Sequence, residues 1–259
     1  MYGVTQLRDV VYVVSYSVVC SGSSEIRRYN ATTHQRLTDI LVKGLRNPHD
    51  IAACELTSQL YVADSGECVW RVSSDGVDIQ RWLTWSPPDT FRPFTLSVTS
   101  SRLLVTSHLY RRQLRQFDAA GGGELRRVDL PDYMKPLHAV ESPTATFIVG
   151  HSNTQLGRCR VSEVSTEGQV LRQFSSSSLS EPEHIAVDRQ GNIFVLDSDA
   201  GYQGRILLLD AQLSLRRVIF DTRQLNYRLP QCLCYTEQSG QLLVGLRDGS
   251  VAVFDVLQR

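Results

Sequence analysis

Five prolines divide this chain into near-equal lengths. Pro48, Pro93, Pro136, Pro182 and Pro230 stand 45, 43, 46 and 48 residues apart, and each opens a short apolar run followed, after a polar turn, by a second. The clearest copy reads P-E-H-I-A-V-D-R-Q-G-N-I-F-V-L-D-S from Pro182 to Ser198. Its halves, Ile185 to Val187 and Ile193 to Leu196, flank a turn holding Gly191 and Asn192, the pattern of a β-hairpin. One such hairpin cannot bury its own apolar face in water, so it needs copies beside it. Weaker copies are P-H-D-I-A-A-C with Q-L-Y-V-A-D-S, P-F-T-L-S-V with R-L-L-V-T-S, P-L-H-A-V with T-F-I-V-G-H-S, and P-Q-C-L-C-Y with Q-L-L-V-G-L. Y-G-V-T with V-Y-V-V-S makes a sixth, without the proline. No interval holds the long helical apolar period that a helix pair needs. Radial β-repetition follows: an all-β, six-bladed β-propeller of four-stranded antiparallel blades.

On this reading residues 1–259 are a single propeller, with blades at about 1–44, 45–86, 91–131, 134–178, 180–227 and 229–259. The last blade shows only three strand-like runs, Cys232 to Tyr235, Gln241 to Gly245 and Ser250 to Asp255, so it is expected to lack its outer strand. An outer edge left open is an aggregation liability. Either that edge is exposed or the chain is part of a longer multidomain protein.

The totals exclude several classes. Lys plus Arg equals Asp plus Glu at 27 each, so no whole-chain field draws in nucleic acid or an anionic membrane. No apolar run is long enough to span a bilayer as a helix, and the apolar opening from Val10 to Cys20 alternates like a strand and lacks the basic start of a signal peptide. Six cysteines without regular spacing read as buried free thiols, which suits a cytoplasmic location. No cofactor is expected.

The motif P-x-x-I-A-V-D-x-x-G-N-I-F-V-x-D-S, with I-L-L-L-D after it, resembles an NHL repeat, and P-H-D-I-A with L-Y-V-A-D-S and V-W-R-V resembles another. The resemblance implies an NHL-like propeller. NHL propellers commonly end multidomain proteins, so the resemblance favours a chain that is part of a longer one, and those of tripartite-motif proteins hold RNA or protein on the face around the channel mouth, through aromatic and basic side chains. Residues of that kind in the mouth-side loops here are Tyr16, Arg46, Arg92, Phe94, Tyr110, Tyr133, Tyr202, Arg228 and Arg247.

Aligning the repeats gives two columns at the mouth. Two residues after each proline stand Asp50, Thr95, His138, His184 and Cys232; at the ends of the second strands stand Ser15, Asp64, Ser107, His151, Asp197 and Leu246. Blades four and five thus offer His138, His151, His184 and Asp197 as candidate ligands for a borderline metal. The six-bladed amidating lyase of peptide hormones is similar in outline. His49, however, follows its proline by one residue, where His138 and His184 follow theirs by two, and successive strand residues face opposite ways. The competing reading has Asp64 and Asp197 satisfying loop amides and His184 bonded within its hairpin. The calcium-site columns of gluconolactonase-like propellers are mixed here, and no G-x-S-x-G elbow occurs.

The leading expectation is a noncatalytic scaffold that binds a protein partner through its mouth face, as the substrate-recognition domain of a tripartite-motif-like ubiquitin ligase. RNA binding is the first alternative. It is disfavoured because the arginine pairs Arg27–Arg28, Arg126–Arg127 and Arg216–Arg217 fall on outer strands. A metal-dependent lyase or hydrolase is the second.

Overall fold

The computed structural model describes residues 3–14, 23–64, 68–107, 112–199, 203–226 and 228–256. They form a six-bladed β-propeller: five four-stranded antiparallel sheets and a three-stranded sixth, each with its strands in sequence order and no helix among them. The innermost strands, Gly3–Leu7, Pro48–Cys54, Leu96–Thr99, Met134–Glu141, Glu181–Val187 and Pro230–Thr236, contact one another in a closed ring around the channel.

Apolarity falls off from the second strand outwards, and burial follows it. Gln59–Asp64 is buried along nearly its whole length, whereas Glu124–Asp129 exposes all but one of its residues fully. The core is six clusters, each lying between neighbouring blades. Between blades two and three, Tyr61, Phe91, Leu103 and Phe117 pack together, and half-buried Trp82 and Trp85 lie against Tyr61 and Phe91 at 4.9 and 5.0 Å between ring centroids. Each large apolar side chain buried there contributes roughly 1.5–3 kcal/mol. A blade without its neighbours would lose most of this, which is why the repeats hold only as a ring.

The proline of the repeat has a structural role. In blades two, four, five and six the pairing of first and second strands slips by one residue just after it, between Pro48 and Asp50, Pro136 and His138, Pro182 and His184, and Pro230 and Cys232. A proline has no N–H to give the ladder, and a bulge beside it absorbs the gap. The residue two after the proline thereby resumes the ladder in a constant position. In blade three the regular strand begins only at Leu96, although Phe94 and Thr106 continue the backbone bonding outward.

The last described strand of the sixth blade is Val251–Asp255, and among the described residues the ring closes without a shared strand. Val4, Val11 and Val13 of blade one pack directly on Cys232 and Leu243 of blade six. The described cysteines, Cys54, Cys68, Cys159, Cys232 and Cys234, are all free thiols. Among the described residues no helix is long and apolar enough to cross a membrane.

Candidate functional site

The constant position after the bulge builds a ring at the neck of the channel. Its members are Asp50, Thr95, His138, His184 and Cys232, all buried, and the matching residue of blade one is Gly3. A side chain at Gly3 would meet the Ile51 nitrogen at 2.7 Å and Asp50 Oδ1 at 2.9 Å, so glycine there makes room for the carboxylate.

Successive ring side chains bond to the backbone of the next blade. Asp50 Oδ2 accepts from the Leu96 N–H at 2.8 Å, while Oδ1 accepts from Ile51 at 2.8 Å. Thr95 Oγ1 donates to the Leu137 carbonyl at 3.0 Å. His138 Nδ1 accepts from the Ile185 N–H at 3.4 Å, which places its own proton on Nε2 when the ring is neutral. His184 breaks the series: neither of its ring nitrogens has a hydrogen-bond partner in the protein.

His184 instead stacks on His138, with ring centroids 3.8 Å apart and planes inclined by 29°. The Nε2 atoms of both rings face the same carboxylate, His138 at 3.7 Å from Asp50 Oδ2 and His184 at 3.6 Å from Asp50 Oδ1. Burial, and then the neighbouring His184, hold His138 well below the ordinary histidine range, so it is uncharged at neutral pH. Both rings line a cavity of about 210 Å³ in the channel, with Thr5, Gln6, Thr99 and Glu141 among its polar walls.

The other candidates named from sequence lie apart from this group. His151 Nε2 is bonded to Ser162 Oγ at 2.8 Å. Asp197 accepts from the Ser180 and Glu181 N–H groups, each at 2.8 Å, and binds the Arg205 guanidinium at 2.8 Å. Asp64 does the same work in blade two, accepting from Asn47 N–H at 2.9 Å and Trp70 Nε1 at 3.2 Å. The two carboxylates thus bind the loops that cross between blades, while His151 is bonded within its own blade. His49 faces Phe94, ring centroids 4.0 Å apart, and stays out of the neck. Asp50 is the member that sequence reasoning did not put forward as a ligand, although it stood in one column with His138 and His184.

Of the mouth-side aromatic and basic residues, Arg46, Arg228 and Arg247 are exposed and Arg92, Phe94 and Tyr133 are half-buried. Arg92 binds the Phe91 carbonyl at 3.1 Å, and Arg228 stands 3.6 Å from the Asp248 carboxylate. Tyr133 packs on the cluster between blades three and four. Tyr16, Tyr110 and Tyr202 lie outside the described residues.

No family model matches the chain, and no curated protein matches it. Many solved structures share its fold. A protein of unknown function from Bacteroides caccae superposes with a TM-score of 0.69 at 15% identity, covering 94% of this chain and 89% of that one. A putative gluconolactonase gives 0.68 at 12% identity over 97% and 87%. A chain of the mitotic checkpoint complex gives 0.62 at 9% identity over 99% and 74%. At these identities the likeness is one of fold.

Proposed function

We propose that this chain is a noncatalytic, NHL-type scaffold that holds a protein partner on its channel-mouth face, in the cytoplasm, as the substrate-recognition module of a tripartite-motif-like ubiquitin ligase. The observation that carries the reading is the mixed character of that face. Exposed Arg46, Arg228 and Arg247 and half-buried Arg92, Phe94 and Tyr133 stand among Asp132, Glu181, Glu183 and Asp248, none of them fully buried. Aromatic and arginine anchors within a rim of both charge signs suit a protein surface. An RNA backbone asks for an unbroken cationic track, which the acidic residues interrupt. The similarity of fold to a chain from a multiprotein assembly supports the same reading, as do the free thiols for the compartment.

The test is in-cell crosslinking of the tagged chain followed by quantitative mass spectrometry, with an Arg46→Glu/Arg247→Glu double variant and an outer-strand control, Arg217→Glu. The expected result is a set of proteins captured by wild type and control and lost from the double variant. Identical capture by all three, or capture of RNA that declines steeply with salt, would overturn the reading.

A further inference from the structure

Each complete blade feeds the gap that follows it. The outer strand of blade one sends Ile40 and Val42 into the cluster shared with blade two, and those of blades two to five send Leu83, Val128, Phe174 and Phe220 into the clusters beyond them. Blade six has three strands among the described residues, and no outer-strand side chain of its own enters its cluster with blade one. Between these two blades lies a groove of about 710 Å³, walled by Val11, Tyr29, His34, Asp248, Val251 and Val253.

Val251–Asp255 is the edge beside that groove. The Leu246 N–H donates to the Ser250 carbonyl at 2.9 Å, and the antiparallel alternation that continues from this bond turns the backbone groups of Ala252 and Phe254 inward. Those of Val251, Val253 and Asp255 therefore point outward. The third strands Cys68–Ser73 and Gln113–Asp118 of blades two and three are buried along most of their length, whereas V-A-V-F here is apolar and only half-buried. The edge carries none of the proline, lysine or bulge devices that guard exposed strands.

The shape selects the occupant. The outer strands of blades five and one extend one strand spacing, about 4.8 Å, past this edge on either side. Two edges recessed in this way cannot meet, so a second copy does not fit. A single extended segment with nothing folded beside it does. Laid antiparallel, its residues opposite Val253 and Val251 share the face of those valines and enter the groove, while its residue opposite Asp255 meets an exposed carboxylate. Blade four shows the same charge pairing in finished form: Arg172 of its outer strand stands opposite Glu163 of its third and binds it at 2.8 Å.

We propose that Val251–Asp255 binds an extended segment of a partner protein as the fourth strand of blade six, read from its N-terminus as basic–x–apolar–x–apolar. Backbone pairing supplies the affinity, and the groove selects the side chains. This surface works through a strand edge, not through the mouth-face arginines, so either reading can fail alone.

The experiment uses the full chain and a synthetic peptide, acetyl-Arg-Thr-Val-Thr-Val-amide, beside the same peptide N-methylated at its middle valine. Binding is followed by nuclear magnetic resonance, which also reads amide exchange residue by residue. At saturating peptide, exchange at Val251, Val253 and Asp255 should slow by about tenfold or more, while Ala252 and Phe254, already bonded inward, stay unchanged. The N-methylated peptide should bind about tenfold more weakly or not at all, having lost one backbone donor to the ladder. Val253→Pro should weaken binding similarly, since its N–H faces outward and the blade's own ladder loses no bond. Val77→Thr, at an exposed turn of blade two, should bind as wild type does. No protection of the three amides, or equal binding of both peptides, overturns the proposal. A concentration-dependent dimer that protects the same amides without peptide would make the occupant a second copy and overturn it too. If Val253→Pro fails to fold, the two peptides on the wild type decide.

Discussion

His151 makes the propeller sensitive to mild acid by an amount that can be worked out. Its ring is fully buried, Nε2 is bonded to Ser162 Oγ at 2.8 Å, and burial, aided by the Arg160 charge across the strand pair, lowers its pKa from 6.5 to about 4. Below about pH 6.5 the unfolded chain takes up a proton at this residue that the folded chain refuses until about pH 4. The unfolded state therefore binds more protons through that window, and stability falls as pH falls through it. Moving from about pH 7 to about pH 5 should remove about 2 kcal/mol through His151 alone. His138, also held low, adds a loss in the same direction. The two are separated by His151→Gln, whose amide can still reach Ser162 but does not titrate. Urea unfolding of both proteins at the two pH values gives a double difference in which His138 and the carboxylates cancel. The variant should lose about 2 kcal/mol less than wild type on acidification. Equal losses would refute the assignment of acid sensitivity to His151.

Three further outcomes follow from packing. Gly150→Ala places a methyl 2.5 Å from the Pro182 carbonyl, backbone that cannot move aside, and should destabilise by about 1–3 kcal/mol in denaturant titration; a shift within error would show that blades four and five slide more freely than their contacts imply. Arg115, 1% exposed, binds Asp89 at 2.6 and 2.9 Å and lies over the Phe91 ring at 4.2 Å. Arg115→Ala should cost about 3 kcal/mol, and a neutral effect on the midpoint would show that this pair does not anchor the loop between blades two and three. Burial pushes the Cys159 and Cys234 thiols up to about 11 and Cys232 higher still, so iodoacetamide at neutral pH should leave all three unmodified in the native chain and label them in urea; rapid native labelling, mapped by mass spectrometry, would contradict this.

The blades were legible because a propeller repeats one solution to one burial problem. Proline spacing located five hairpins, and alternation located their strands. The three strands of the sixth blade were visible too, as the apolar runs Cys232 to Tyr235, Gln241 to Gly245 and Ser250 to Asp255. The site was read only in part. His138 and His184 were found because the repeats align them. Asp50 sat in the same column, but in a hairpin whose adjacent His49 drew the comparison, and the bulge that sends the two residues to different surroundings does not show in the letters. His151 and Asp197 misled for a geometric reason. They stand opposite the prolines, one rung nearer the mouth than the ring residues and one strand farther out, about 4.8 Å along the sheet, and from there they bind loops and neighbouring strands instead of the neck. Contacts between blades arise from curvature, which a one-dimensional alignment does not carry.

The ring side chains have one more implication. Asp50 reaches into blade three, Thr95 into blade four and His138 into blade five, each stitch pointing the same way round. The stitching stops there. Blade five offers His184, which grips no backbone, and blade six meets blade one through valines and thiols. The molecule is thus a clasped strip as much as a wheel, with a firm stretch from blade two to blade five and a seam at blade six. Opening by heat or by force should start at that seam, and hydrogen exchange in Pro230–Thr236 and Gly3–Leu7 should run ahead of the strands that flank the neck.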